Sequence, residues 1–411
     1  MTCQQLSATG LETTSKAALP GWMVWLFATA CGLSVANVYY AQPLLDALSR
    51  DFALSPALIG TVITATQGGS AIALLLLVPL GDMLNRRRLL LVQLWLLVLA
   101  LAGVAAAGST LYLLLGMFCV GLLGTAMTQG LIAYAATIAE PSERGRVVGT
   151  TQAGVLVGLL SARVLAGAIA DIADWRMVYL VSASLMLLLA LVLLRILPQP
   201  QAPLTALPYS RLLASMAQLM WRERVLQVRG IIALLMFAAL SIFWSAIVLP
   251  LSAAPYHYSK TAIGALGLIG VLGALAAGRS GRWADAGYGQ RTTAVALCVL
   301  LLSWLVLGLM PYSWVFLIIG IILLDMAGQA IHVTNQSMIF NVQEGASSRL
   351  VGCYMMFYAV GSGLGAIAAT RVYAYGGWSA LCWLGAGVSG LALLFWLVSR
   401  PRMPAALAEH R

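Results

Sequence analysis

Long apolar stretches separated by short polar breaks run through this chain from end to end. Twelve of them begin near Trp22, Ala57, Leu89, Leu111, Val147, Met177, Ile231, Ala262, Thr292, Trp314, Leu350 and Trp378. Each is long enough for a helix to cross a bilayer, which takes roughly 20 apolar residues. One break, Pro198 to Gly230, is much longer than the rest. It carries an amphipathic stretch (Leu212, Leu213, Met216, Leu219, Met220) that predicts a linker helix lying on the membrane surface. The pattern predicts an all-α integral membrane protein with a tail (1–21), six helices (22–197), a linker loop (198–230), six further helices (231–398) and a second tail (399–411).

The scarce polar residues add a second regularity. Asp82 and Asp285, Arg88 and Arg291, Arg146 and Arg349, and Trp175 and Trp378 are each 203 residues apart, as are Gly149 and Gly352, and Gly158 and Gly361. A chain that repeats across its midpoint consists of two similar halves. In a membrane protein, such halves point to a transporter whose parts rock against each other.

Composition fixes the solvent. The chain is 61% hydrophobic and 9% charged, against about 25% charged residues in soluble domains. The net charge of +10 invites a nucleic-acid reading, but its distribution opposes one. Numbering the spans from an inside N-terminus places 18 of the 23 basic residues in the tails and even-numbered loops, including Arg86, Arg87, Arg88, Arg146, Arg229 and Arg291. Arg50, Arg176, Lys260 and Arg371 fall on the other side, and Arg163 is left inside a span. This is the positive-inside asymmetry; it predicts both termini in the cytoplasm and no nucleic-acid partner. The first 21 residues lack the charged region and cleavage site of a secretory signal and read as a disordered tail. Cys3 lies in that tail. Cys31, Cys119, Cys298, Cys353 and Cys382 lie in apolar spans without metal-ligand spacing and read as small buried residues.

Two loops carry a motif. Pro79 to Arg88 joins spans two and three, and Gly281 to Arg291 joins spans eight and nine. They resemble the Gly-x-x-x-Asp-Arg-x-Gly-Arg-Arg signature of the major facilitator superfamily, and span number, orientation, repeat and long central loop agree with that family along the whole chain. The first copy departs from the pattern at Val78, Met83 and Asn85; the second keeps Gly281 and Asp285 but has Ala286 for the arginine. The resemblance implies the major facilitator fold, two pseudo-symmetric halves of six helices. It also implies a gating loop (Asp82, Arg86, Arg87, Gly281, Asp285, Arg291) in which Asp82 and Arg86 latch the halves together in an outward-facing state. Topology alone would account for the arginines.

Span five carries Gly149, Gly158, Ala162, Arg163, Ala166 and Gly167 in the frame of the antiporter signature of drug:proton exchangers in this superfamily. Arg163 stands where that signature has proline. The segment from Asn37 to Leu45, with Asp325 to Gln336, resembles a bacterial branch related to drug and sugar exporters.

The charges deep in the membrane carry the chemical interest. Asp325 lies about 12 residues into span ten, roughly 18 Å along a helix that crosses a core about 30 Å thick, and Arg163 has similar depth in span five. Charges at that depth mark pathways or proton relays unless they merely tie helices together. Gln329, His332 and Gln336 share a helical face with Asp325, within an arc of roughly 60° at 100° per residue. The resemblance implies that spans one, four, seven and ten line a central cavity. They offer Asn37, Tyr40 and Gln42 with a kinking Pro43; Thr125, Thr128 and Gln129; and Ser241, Trp244 and Ser245. Tyr354 and Tyr358 on span eleven are weaker candidates. The proton-coupling set is Asp325, Arg163 and His332. The substrate set is Asn37, Tyr40, Gln42, Gln129, Ser241, Trp244, Gln329 and Gln336.

The expected function is a monomeric, proton-coupled exporter of a small organic solute in a bacterial inner membrane, with no metal or cofactor. Uptake by symport is the alternative, and a receptor on a transporter fold is a more distant one. The chain shows no Ser/His/Asp set, metal cluster or phosphate loop, and its histidines (His257, His332, His410) are scattered, so an enzyme is not expected.

Overall fold

Inside lipid no water is available to the peptide groups, so each crossing segment must bond its own backbone, and the helix does this locally. The computed structural model describes residues 19–81, 83–140, 143–198, 208–340 and 347–400; the side chains of 273–278, 281, 284, 285, 340, 347 and 348 are outside that description. Readings that fall on Asp82, on Cys3 and on residues 1–18 and 401–411 lie outside the described residues. Among the described residues all regular structure is helical.

Ten helices among the described residues are long and apolar enough to cross a membrane. Span one, Gly21–Tyr39, continues through a 3-10 turn at Gln42–Leu44, which holds Pro43, into Leu45–Asp51. Spans two to six are Thr61–Leu80, Arg86–Ala105, Thr110–Ile138, Arg144–Ile172 and Trp175–Ile196. Spans seven, nine and ten are Arg224–Ser252, Ala286–Gly308 and Trp314–Ile339. The last apolar helix, Arg349–Ser399, is 51 residues long and is two crossings, eleven and twelve, hinged at Gly377, where φ is 62°. Only glycine takes that backbone region without strain. Span eight is broken into Lys260–Ala265, a 3-10 turn Leu266–Ile269 and Gly270–Trp283, so no single long helix registers there. The twelve crossings form two halves of six.

Local chemistry starts the helices where the polar breaks fall. Asn85, Ser109, Asp174 and Ser259 each accept a hydrogen bond from a first-turn N–H, satisfying donors that the helix itself cannot. The internal repeat has a packing reason. A Cβ on Gly158 would lie 2.2 Å from the Gly32 carbonyl oxygen, and one on its partner Gly361 would lie 2.1 Å from the Leu234 carbonyl oxygen. The same pair of glycines thus lets the first and fifth helices of each half touch backbone to backbone.

Three expectations need correction. The linker helix, Tyr209–Arg222, turns its apolar face to the protein, where Leu212, Met216 and Leu219 are buried. Tyr209 donates to the Leu76 carbonyl (2.7 Å) in the first half, and Arg349 of the second half donates to Ser215 (3.0 Å). Span seven starts at Arg224, not near Ile231, so Arg229 is no loop residue: it is fully buried. Cys298 is exposed on span nine, while Cys31, Cys353 and Cys382 are buried; the thiol is a small apolar group, and the outer face of a crossing helix is apolar too.

Candidate functional site

The halves meet most tightly at the end away from the linker helix. A Cβ on Gly167 of span five would lie 2.3 Å from the Lys260 carbonyl oxygen of span eight. Beside it, the Asp171 carboxylate accepts from the Thr261 and Lys260 backbone N–H groups (2.7 and 3.1 Å) and from the Thr261 hydroxyl (2.7 Å). A side chain of one half therefore caps the first turn of a helix in the other, where the helix dipole favours a negative charge. Thr64 of span two likewise donates to the Gly363 carbonyl of span eleven (2.8 Å).

Below this closure lies a cavity of about 90 Å³ shared by both halves. Ligand pockets typically measure about 300–1,000 Å³, so in this conformation the space suits water and not a solute. Arg163, almost fully buried, donates from Nε to Gln42 Oε1 (2.6 Å). Its guanidinium lies 4.1 Å from the centre of the Trp244 ring and 5.6 Å from that of Tyr39. Trp244 Nε1 in turn donates to Asp325 Oδ1 (3.2 Å). Among the described residues neither charge forms an ion pair; one indole bridges them, its face to the cation and its N–H to the anion. That face carries negative quadrupole density, which is what a poorly solvated guanidinium needs. Space is tight: Cβ atoms on Gly267 and Gly270 would lie 3.2 Å from Arg163 Cδ and 2.9 Å from Asp325 Oδ2. Gly267 lies within the 3-10 turn of span eight and Gly270 just after it, so the broken segment packs directly against both charges.

Of the residues singled out by sequence, Arg163, Asp325, Gln42, Ser241, Trp244 and Gln329 come together here. The others lie elsewhere. Asn37 spends its amide inside the first half, accepting from Ser182 (2.6 Å) and donating to the Leu33 carbonyl (2.9 Å). Tyr40 is buried in the same half. Gln129 lines a separate cavity nearer the linker helix, with Gln93 and Arg349. His332 bonds Tyr354 OH (3.0 Å) and meets the edge of Phe237 (5.3 Å). Gln336 is half-buried and does not line the central cavity. The polar face of span ten is real, but from Asp325 to Gln336 it climbs roughly 16 Å, past one site and into the next layer.

Sequence reasoning passed over Tyr39, Gln67 and Ser362, and ranked Tyr358 low. Tyr39 and Tyr358 share a short hydroxyl–hydroxyl bond across the two halves. Gln67 is buried at the cavity and its Oε1 has no partner. The signal for Tyr39 was its place beside Tyr40, about 100° away on the helix. Gln67, on span two, gave none.

Of the gating set, Arg86 donates to the carbonyls of Gly81 (2.7 Å) and Ala133 (3.1 Å) and to the Thr137 hydroxyl, all in the first half. Arg87 donates to the Leu194 carbonyl (2.7 Å) of span six. Arg291 lies over the Tyr288 ring. Gly281 lies in the helix Gly270–Trp283; Asp82 and the side chain of Asp285 lie outside the described residues.

This constellation, a charged cavity shared by two similar halves, points to a solute carrier. The chain belongs to the Major Facilitator Superfamily, whose profile matches residues 25–280 and 229–411. It is similar to the uncharacterized transporter YgaY of Escherichia coli O157:H7, 41% identical over 384 residues, covering 93% of this chain and 97% of that one. It is also similar to the probable transporter SCO4007 of Streptomyces coelicolor, 30% identical over 366 residues, 87% and 83% of the two chains. A bacterial homologue of the human lysosomal transporter Spinster, solved inward-facing and occupied, shares the fold with a TM-score of 0.74 at 13% identity, over 94% of this chain and 98% of that one. The protein is a multi-pass membrane transporter and not an enzyme.

Proposed function

We propose that this protein is a proton-coupled exporter of small organic solutes, with Asp325 carrying the proton and Arg163 sensing it. The observation that supports this most is the single indole of Trp244 held between Arg163 of the first half and Asp325 of the second. An ionised Asp325 offsets Arg163 in a poorly solvated cavity. A proton on Asp325 removes that offset, and the guanidinium then gains from water or from a solute acceptor. Because the two charges stand on opposite halves, their electrostatic balance depends on how the halves are set. Protonation thereby biases the rocking equilibrium, and only such a differential interaction can. With the basic end inside, the Asp171 closure faces outward and the cavity near Gln129 faces the cytoplasm.

The solute is received when the halves part. Tyr39, Trp244, Phe237 and Tyr358 would stack on a neutral or weakly cationic aromatic solute, while Gln42, Gln67 and Gln329 supply hydrogen bonds. The test uses proteoliposomes with an imposed pH gradient and a panel of neutral and singly cationic aromatic solutes. Asp325→Asn should abolish gradient-driven flux while leaving solute exchange at zero gradient. Gradient-driven flux at the wild-type rate in Asp325→Asn would remove Asp325 from the coupling role. Resistance on overexpression supports export; growth on a carbon source would instead favour uptake.

A further inference from the structure

A further cavity lies on the outside of the second half, away from the site between the halves. It is a crevice of about 710 Å³ between spans eight, nine and ten, large enough for a sizeable ligand. Its two ends differ in chemistry. At the basic end stand Arg279 and Arg291, with the exposed aromatic rings of Trp283 and Tyr288. Ser280 and Thr292 stand beside them; below, among the described residues, the wall is apolar, with Leu272 and Val295 exposed and Val299, Met326, Ala327 and Ala330 forming the floor. From Arg279 to Leu272, and from Arg291 to Val299, the groove runs roughly 10–12 Å along the helices. Charge at one end, aromatic rings beside it and a lipid-facing apolar trough below is the profile of a phospholipid and not of a soluble anion. A dissolved anion would have no use for the trough.

We infer that this crevice binds one anionic phospholipid, its phosphate between Arg279 and Arg291 and one acyl chain in the trough toward Leu272 and Val299. Trp and Tyr rings favour the headgroup level of a bilayer, where they would flank the glycerol region. Basic pockets between membrane helices recognise anionic headgroups through the same charge complementarity. This reading is independent of what the transporter carries.

The test is native mass spectrometry of the full-length protein in detergent, titrated with phosphatidylglycerol and, separately, phosphatidylcholine of the same acyl chains. The wild type should hold its tightest phosphatidylglycerol well above phosphatidylcholine. Arg279→Gln with Arg291→Gln should weaken that binding roughly 30-fold, about 2 kcal/mol at 1.4 kcal/mol per tenfold. Arg279→Lys with Arg291→Lys, which keeps the charge on exposed positions, should retain most of it and controls for folding. Val295→Trp, which fills the trough and keeps both arginines, should weaken it as well. Equal binding of the two lipids, or unchanged phosphatidylglycerol binding in the double Gln variant, overturns the proposal. So does displacement by inorganic phosphate, or indifference to Val295→Trp, either of which would make the crevice a site for surface anions.

Discussion

Among the described residues two arginines are buried, and they keep different company. Arg163 lies between the halves, with Gln42 and Tyr39 of its own half and Trp244 of the other around it. Arg229 lies inside the second half, where it donates to Thr293 (2.8 Å) and Asn335 (3.4 Å) and accepts from Asn335 at its own carbonyl (3.3 Å). Its Nε and Nη2 have no partner. By burial alone Arg229 is the more extreme of the two. Yet every group around it belongs to the same six helices and moves with it. Arg163 shares its main aromatic partner with Asp325 across the boundary that rocking would open. Position relative to the moving boundary, more than depth of burial, separates a charge that can report a change from one that cannot.

That contrast can be tested by removing each charge. Arg163→Met leaves Asp325 without its nearby counter-charge; the two make no direct ion pair, so we expect less than the roughly 3–5 kcal/mol lost when one member of a buried pair is removed. We expect a lower unfolding temperature in detergent and no gradient-driven transport. Adding Asp325→Asn to Arg163→Met should restore most of the stability and none of the transport. A double variant as unstable as Arg163→Met alone would mean that the two charges are not coupled.

Trp244→Phe keeps an aromatic face for Arg163 but deletes the N–H given to Asp325. Losing one hydrogen bond to a charged group costs about 1.5–3 kcal/mol, on the order of 10- to 100-fold in whichever equilibrium uses it. The expected readout is a shifted pH dependence of transport with the protein still folded. Wild-type pH dependence would show that the indole merely fills space.

Arg229→Met should do least. It removes a buried charge and two donor atoms without partners, gains that oppose the loss of its bonds to Thr293 and Asn335. Unfolding temperature should hold or rise, and transport should stay within about threefold of wild type, a difference under 1 kcal/mol. A folded Arg229→Met protein that cannot transport would break the comparison and give Arg229 a role in the cycle.

The twelve crossings were legible because the signal is one-dimensional. A run of roughly 20 apolar residues must cross, and its polar breaks must turn. The 203-residue repeat was legible for a similar reason: pairs such as Gly158 and Gly361 solve the same packing problem twice. The site was legible only in part. Arg163, Asp325 and Trp244 stood out because charged or bulky polar groups deep in an apolar span are rare. Asn37 stood out equally and proved to bond inside its own half, whereas its near neighbour Tyr39 faces the cavity. Two residues along a helix is a rotation of about 200°, and nothing in an almost wholly apolar span reports where its axis is turned.

Sequence by itself determined that this chain is a membrane protein of two related six-helix halves, since hydropathy and repetition are properties of the chain alone. Tertiary structure decided which polar groups meet. It placed one indole between two charges from opposite halves, turned Arg229 from a loop into a core, and folded the linker helix onto the protein. Those outcomes depend on the rotation and relative height of packed helices. These are set by small-residue contacts spread over the whole bundle, such as Gly167 against Lys260 and Gly158 against Gly32.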